Sequence, residues 1–106
     1  MENRRYSRKF VSLKTKIVET NTNSVLGDCI LTDVSQDGFA IESETQLVLN
    51  QQFSLNLIIQ NKHISLSGKI VRITQGLFYP LYGIKLIEKD CKNLDFFKKY
   101  VEYSLN

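Results

Sequence analysis

The sequence predicts a mainly β domain: a small six-stranded antiparallel β-barrel with a C-terminal α-helix. Three observations carry this expectation. Apolar and polar residues alternate with period two in successive runs. The runs are parted by short clusters of Asn, Gly, Asp and Ser, as in small barrels and sandwiches. Only the last stretch of the chain changes to helical spacing. At 106 residues, with 42% apolar and 24% charged side chains, the chain suits one domain with one core.

Taken in order, Val11, Leu13, Thr15 and Ile17 alternate with Ser12, Lys14, Lys16 and Val18, which predicts a first strand with one buried face over roughly residues 10–20. The polar Thr20–Ser24 stretch is a turn, and Val25–Val34 returns as the second strand through Cys29 and Leu31. Asp33, Ser35 and Gly38 then interrupt two apolar runs, marking a tight turn into a third strand at Phe39 and Ile41. Asp and Ser bond their own backbone there, and Gly38 permits a positive φ or a close backbone approach. Glu42–Gln52 has no clear period and is expected to be mostly loop. Phe53, Leu55, Leu57 and Ile59 alternate cleanly, and a hairpin turn at Asn61–Lys62 leads into Ile64, Leu66, Gly68, Ile70 and Arg72. After Gln75–Gly76, Pro80 marks an edge or bulge position before Tyr82, Ile84 and Leu86. Leu94, Phe97, Val101 and Leu105 recur at helical spacing, predicting a helix at about 91–104 with Asp90 as N-cap and Asp95 four residues before Lys99. Its apolar face is expected to close the barrel, with a homodimer interface as the alternative to a monomer.

The net charge of +3 lies in residues 1–10, where Arg4, Arg5, Arg8 and Lys9 stand against Glu2; the other 96 residues hold ten basic and ten acidic side chains. Residues 1–9 therefore read as a basic, flexible arm preceding the barrel domain of 10–106, and an anion meets the arm first. No apolar run approaches the ~20 residues of a membrane span, and the basic start leads into alternating residues rather than a signal core, so a cytoplasmic protein is expected. Cys29 and Cys91 are isolated and are expected to be free thiols, with no metal site. No enzyme chemistry is legible. His63 is the single histidine, beside a hairpin turn, Ser35 has no base near it in sequence, and no glycine pattern matches a phosphate-binding loop.

What remains is ligand binding by two segments. The turn offers a carboxylate, a hydroxyl and bare amides, and Arg8, 25 residues before Asp33, begins the group of guanidinium donors that the turn lacks. RRYSR contains RxxxR through Arg4 and Arg8, and DVSQDG contains DxSxxG through Asp33, Ser35 and Gly38. In this order, with GKIVR at Gly68–Arg72 and YGIKL at Tyr82–Leu86, the chain resembles a PilZ domain. Asp37 stands where that family often has a second glycine; Asp tolerates the left-handed region but adds a negative charge beside an anion site. The resemblance implies binding of cyclic di-GMP, with no cofactor and no metal, and an effector protein that reads the occupied state. Arg4 and Arg8 then engage guanine O6 and N7 or the phosphates, Arg5 assists, Asp33 and Ser35 accept from guanine N1–H and N2–H, and Gly38 lets the backbone come near. The alternatives are a PilZ-like interaction module that binds no nucleotide and a single-stranded nucleic-acid-binding barrel. Nucleic acid is the less expected of the two, because the strands carry mixed charges rather than a basic, aromatic face.

Overall fold

The computed structural model describes residues 9–35 and 38–87, together with Asp95 and Lys99. Six strands follow one another as β1 (Lys9–Val18), β2 (Val25–Val34), β3 (Gly38–Glu42), β4 (Gln52–Ile59), β5 (Lys62–Gln75) and β6 (Pro80–Leu86). They form a closed antiparallel barrel in the order β1-β2-β3-β6-β5-β4. The period-two pattern sets which residues enter it. Ile17, Leu31, Ile41, Phe53, Leu55 and Leu66 are fully buried, while Ser12, Lys14 and Lys16 of β1 face solvent. Each such side chain contributes roughly 1.5–3 kcal/mol by leaving water, so the barrel interior dominates stability.

The turns follow from local chemistry. Between β1 and β2, the Glu19 carboxylate accepts from the Asn21 and Thr22 amides at 3.0 and 2.9 Å, and Asn23 takes the left-handed conformation at φ 61°. The bonds from Thr22 lead in holding the Glu19 carboxyl below its ordinary range, with Asn21 assisting. Between β4 and β5 the turn sits at Gln60–Asn61, one residue earlier than the Asn61–Lys62 expected from sequence. Both residues have positive φ, 53° and 64°, as a two-residue hairpin loop of matching twist requires, and Lys62 is already paired with Ile59. The long β3–β4 connection is pinned to the barrel by Tyr82, whose hydroxyl accepts from the Leu47 amide at 3.1 Å and donates to the Thr45 carbonyl at 2.9 Å.

The helix expected at 91–104 falls outside the described residues except for Asp95 and Lys99, whose backbones are helical and whose side chains are exposed. Cys29 is buried in β2 as a free thiol; loss of water, and then the nearby Asp28 charge, push its pKa up to about 12. Among the described residues no helix is long and apolar enough to cross a membrane, and no cluster of His, Cys, Asp or Glu is placed to hold a metal ion.

Candidate functional site

The DxSxxG segment lies at one end of the barrel, where β2 hands the chain to β3. Asp33 closes β2 with Val34 and is buried, 8% exposed. The ladder is irregular on both of its flanks: the register slips between Phe10 and Leu13 on the β1 side and between Leu31 and Asp33 on the β3 side. Such slips re-aim a strand's side chains and are common beside binding sites. Ser35 is half-buried; its amide donates to the Gly38 carbonyl at 2.8 Å, with the hydroxyl 3.4 Å from the same oxygen. These bonds close the turn from both sides of Gln36 and Asp37.

Gly38 acts differently from one half of the expectation. No glycine among the described residues has positive φ, so the turn does not draw on the left-handed freedom of Gly38. Its need is a close approach, to protein: a Cβ there would overlap the Ile84 carbonyl oxygen of β6, with Gly38 paired to Lys85.

The decisive feature of this end is the β1–β2 register. Lys9 pairs with Val34 and Phe10 with Asp33, so the residue that follows Arg8 is already hydrogen-bonded to the strand leading into the turn. Lys9 and Val34, 25 residues apart in sequence, thus lie one strand spacing apart, about 5 Å. Arg4, Arg5 and Arg8 themselves lie outside the described residues. The register also adds a residue that sequence reasoning passed over: Phe10, opposite Asp33, is 70% exposed. Its signal was present as an aromatic at the mouth of a strand, but only the pairing shows which residue it neighbours.

Two clefts among the described residues, of about 490 and 430 Å³, flank β1. The first is lined by Lys14, Lys16, Asp28, Glu42 and Glu44 and the second by Leu13, Asn56 and Ile58, so neither includes Asp33, Ser35 or Gly38.

A sequence model of the PilZ domain matches residues 2–102. The chain belongs to the PilZ domain family. Among solved structures this PilZ domain resembles YcgR from Escherichia coli, determined in complex with c-di-GMP, with a TM-score of 0.75 at 16% identity. The match covers 99% of this chain and 48% of that one, so the PilZ domain spans about half the length of the protein it resembles. No curated protein sequence matches it significantly.

Proposed function

We propose that this PilZ domain binds cyclic di-GMP at the β1–β2–β3 end of the barrel, with Arg4 and Arg8 from the arm and Asp33 and Ser35 from the turn as its ligands and Arg5 in support. The observation that supports the reading is the register of β1 on β2, which pairs Lys9 with Val34 and Phe10 with Asp33. On this reading the two partial sites are neighbours. Guanidinium forks engage the guanine O6 and N7 edge and the phosphates, and the carboxylate and hydroxyl accept from N1–H and N2–H. Phe10 offers a ring on which a base can stack, a contact worth about 1–3 kcal/mol. Gly38 serves the site by letting β3 close on β6. The PilZ family and the ligand in the YcgR structure support this reading. The domain acts as a cytoplasmic, bacterial adaptor without catalysis of its own: ligand binding orders the arm, and an effector protein reads the new surface.

Isothermal calorimetry tests the site. Arg4→Ala and Arg8→Ala each weaken cyclic di-GMP binding at least tenfold, since a charge-assisted hydrogen bond is worth about 1.5–3 kcal/mol. Cyclic di-AMP, which lacks the O6 acceptor and the N1–H and N2–H donors, does not bind. Wild-type affinity in both folded variants overturns the site, and equal affinity for the two dinucleotides overturns base recognition. The same titration gives the stoichiometry, one ligand or an intercalated pair.

A further inference from the structure

At the opposite end of the barrel β5 outruns its neighbour. Pairing with β4 stops at Gln52 opposite Lys69, and Ile70 is bonded instead to the β3–β4 connection, through Asn50 N–H at 2.8 Å and the Gln51 carbonyl at 3.0 Å. Past the slip at Val71, Arg72 to Gln75 are, among the described residues, paired with β6 alone. The direction of its free groups follows from the far side of the hairpin. The Pro80 carbonyl faces β3, accepting from the Ser43 amide at 3.2 Å, so Leu81 and Gly83 turn their peptide groups to β5. Thr74 and Arg72, their partners, bond inward, and the N–H and C=O of Ile73 and Gln75 point out to the open edge. Among the described residues no hydrogen bond reaches these outward groups.

This edge is also apolar. Val71 and Ile73 are 48% and 41% exposed, Leu77 and Phe78 at the hairpin tip 83% and 77%, and Val48 and Leu49 beside Ile70 61% and 56%. An unpaired edge with exposed β-branched residues is a template for another strand.

We propose that the chain pairs with a second copy of itself along this edge, the two Ile73 residues facing each other at the centre of an antiparallel strand pair. The sequence of the edge is self-complementary about Ile73. Each Ile73 N–H donates to the other copy's Ile73 carbonyl, Arg72 of each copy faces Thr74 of the other, and no like charges meet. The two apolar flanks also match. Beyond Gln75, each chain runs toward the other copy's Ile70, which carries Leu77 and Phe78 onto the other copy's Val48 and Leu49. One contact thus covers both apolar surfaces twice, on the order of several hundred Å² per copy, near the lower end of specific interfaces. The edge is remote from the Asp33–Gly38 turn, so this dimer stands independently of the nucleotide reading.

Sedimentation equilibrium of the full chain without nucleotide is expected to show a monomer–dimer equilibrium in the micromolar range. Ile73→Pro, which removes an outward N–H that the fold does not use, raises the dissociation constant at least about tenfold. Directly opposed residues of a hydrogen-bonded pair have Cα atoms about 5.5 Å apart, within disulfide reach. Ile73→Cys in a Cys29→Ala, Cys91→Ala background therefore gives a disulfide-linked dimer under mild oxidation, and His63→Cys in that background does not. The cross-link decides the matter should Ile73→Pro fail to fold. A wild-type monomer throughout the micromolar range overturns the proposal, including the case in which the edge captures an extended segment of another protein instead. A dimer that survives Ile73→Pro, or that leaves Ile73→Cys unlinked, overturns it as well.

Discussion

At the end of the barrel that carries Asp33, Ser35 and Gly38, β2 and β3 are joined by only three residues, 35–37, and β3 is paired to β6 from its first residue, Gly38. At the opposite end β5 extends past β4, and the β5–β6 hairpin presents Leu77 and Phe78 to solvent. One end carries a polar turn and is closed by backbone contact between β3 and β6. The other is apolar and open along one edge. A barrel fixes side-chain direction by alternation, but where its strands stop is set by turns and bulges, so the same sheet can end in two different surfaces. The slip between Ile70 and Arg72 bends β5 away at the point where β4 leaves it.

The sharpest test of the closed end is Gly38→Ala. Because the added methyl meets backbone rather than a movable side chain, the strands must separate, at a cost of about 3 kcal/mol. Urea unfolding reads this, and a loss below about 1 kcal/mol means that β3 and β6 are not in such close contact. Next in size is Tyr82→Phe, which strands the Leu47 amide and the Thr45 carbonyl and costs about 1–3 kcal/mol. Faster exchange of the Leu47 amide places that loss at the open end; unchanged exchange refutes the pin. Smallest is Lys16→Ala. The 2.7 Å pair with Asp28 is 61% and 80% exposed, and its removal changes stability by less than about 1 kcal/mol.

A pH titration separates core from surface. The Cys29 thiol has a folded pKa raised to about 12, above its value in the unfolded chain, so its contribution is fully present below the unfolded pKa, roughly 8.5. It is lost as pH climbs from about 9 toward 12. Cys29→Ala is expected to flatten that alkaline slope and leave the neutral region little changed in shape. An unchanged slope assigns alkaline unfolding to other groups.

Alternation made the strands readable before any coordinates: Val11, Leu13 and Ile17 pack on the core and Ser12, Lys14 and Lys16 face outward because burial obeys the period of the pleat. Val18, expected on the outer face, is instead buried where the register shifts after Ile17. The β4–β5 turn was misplaced by one residue, since Asn61 was visible as a turn former while the left-handed Gln60 was not. Gly38 was recognised, but its reason lay in Ile84, forty-six positions on, and no local pattern encodes such a contact. The overhang of β5 was hidden for the same reason. Its alternation continues past Arg72, and only register shows that β4 has already ended. Of the candidate site, Asp33, Ser35 and Gly38 stand at one turn as their spacing implied, whereas Phe10 emerged from pairing alone.

The barrel is sealed between its first and fourth strands by three residue pairs, Lys16 with Asn56, Ile17 with Leu55 and Val18 with Ser54, against eight between β4 and β5. A short seam is the boundary that opens first in a closed sheet, because sub-global opening breaks the smallest set of bonds that frees a whole element. Among the described residues, Lys9 to Thr15 of β1 are then strand-paired with β2 alone, apart from the Thr15 hydroxyl bonded to the Asn56 carbonyl at 2.6 Å. The first strand is thus a zip, fastened at its far end by the seam and continuous at its near end with the arm. Anything that grips the arm adds a second fastening to the same strand and slows its release from both ends.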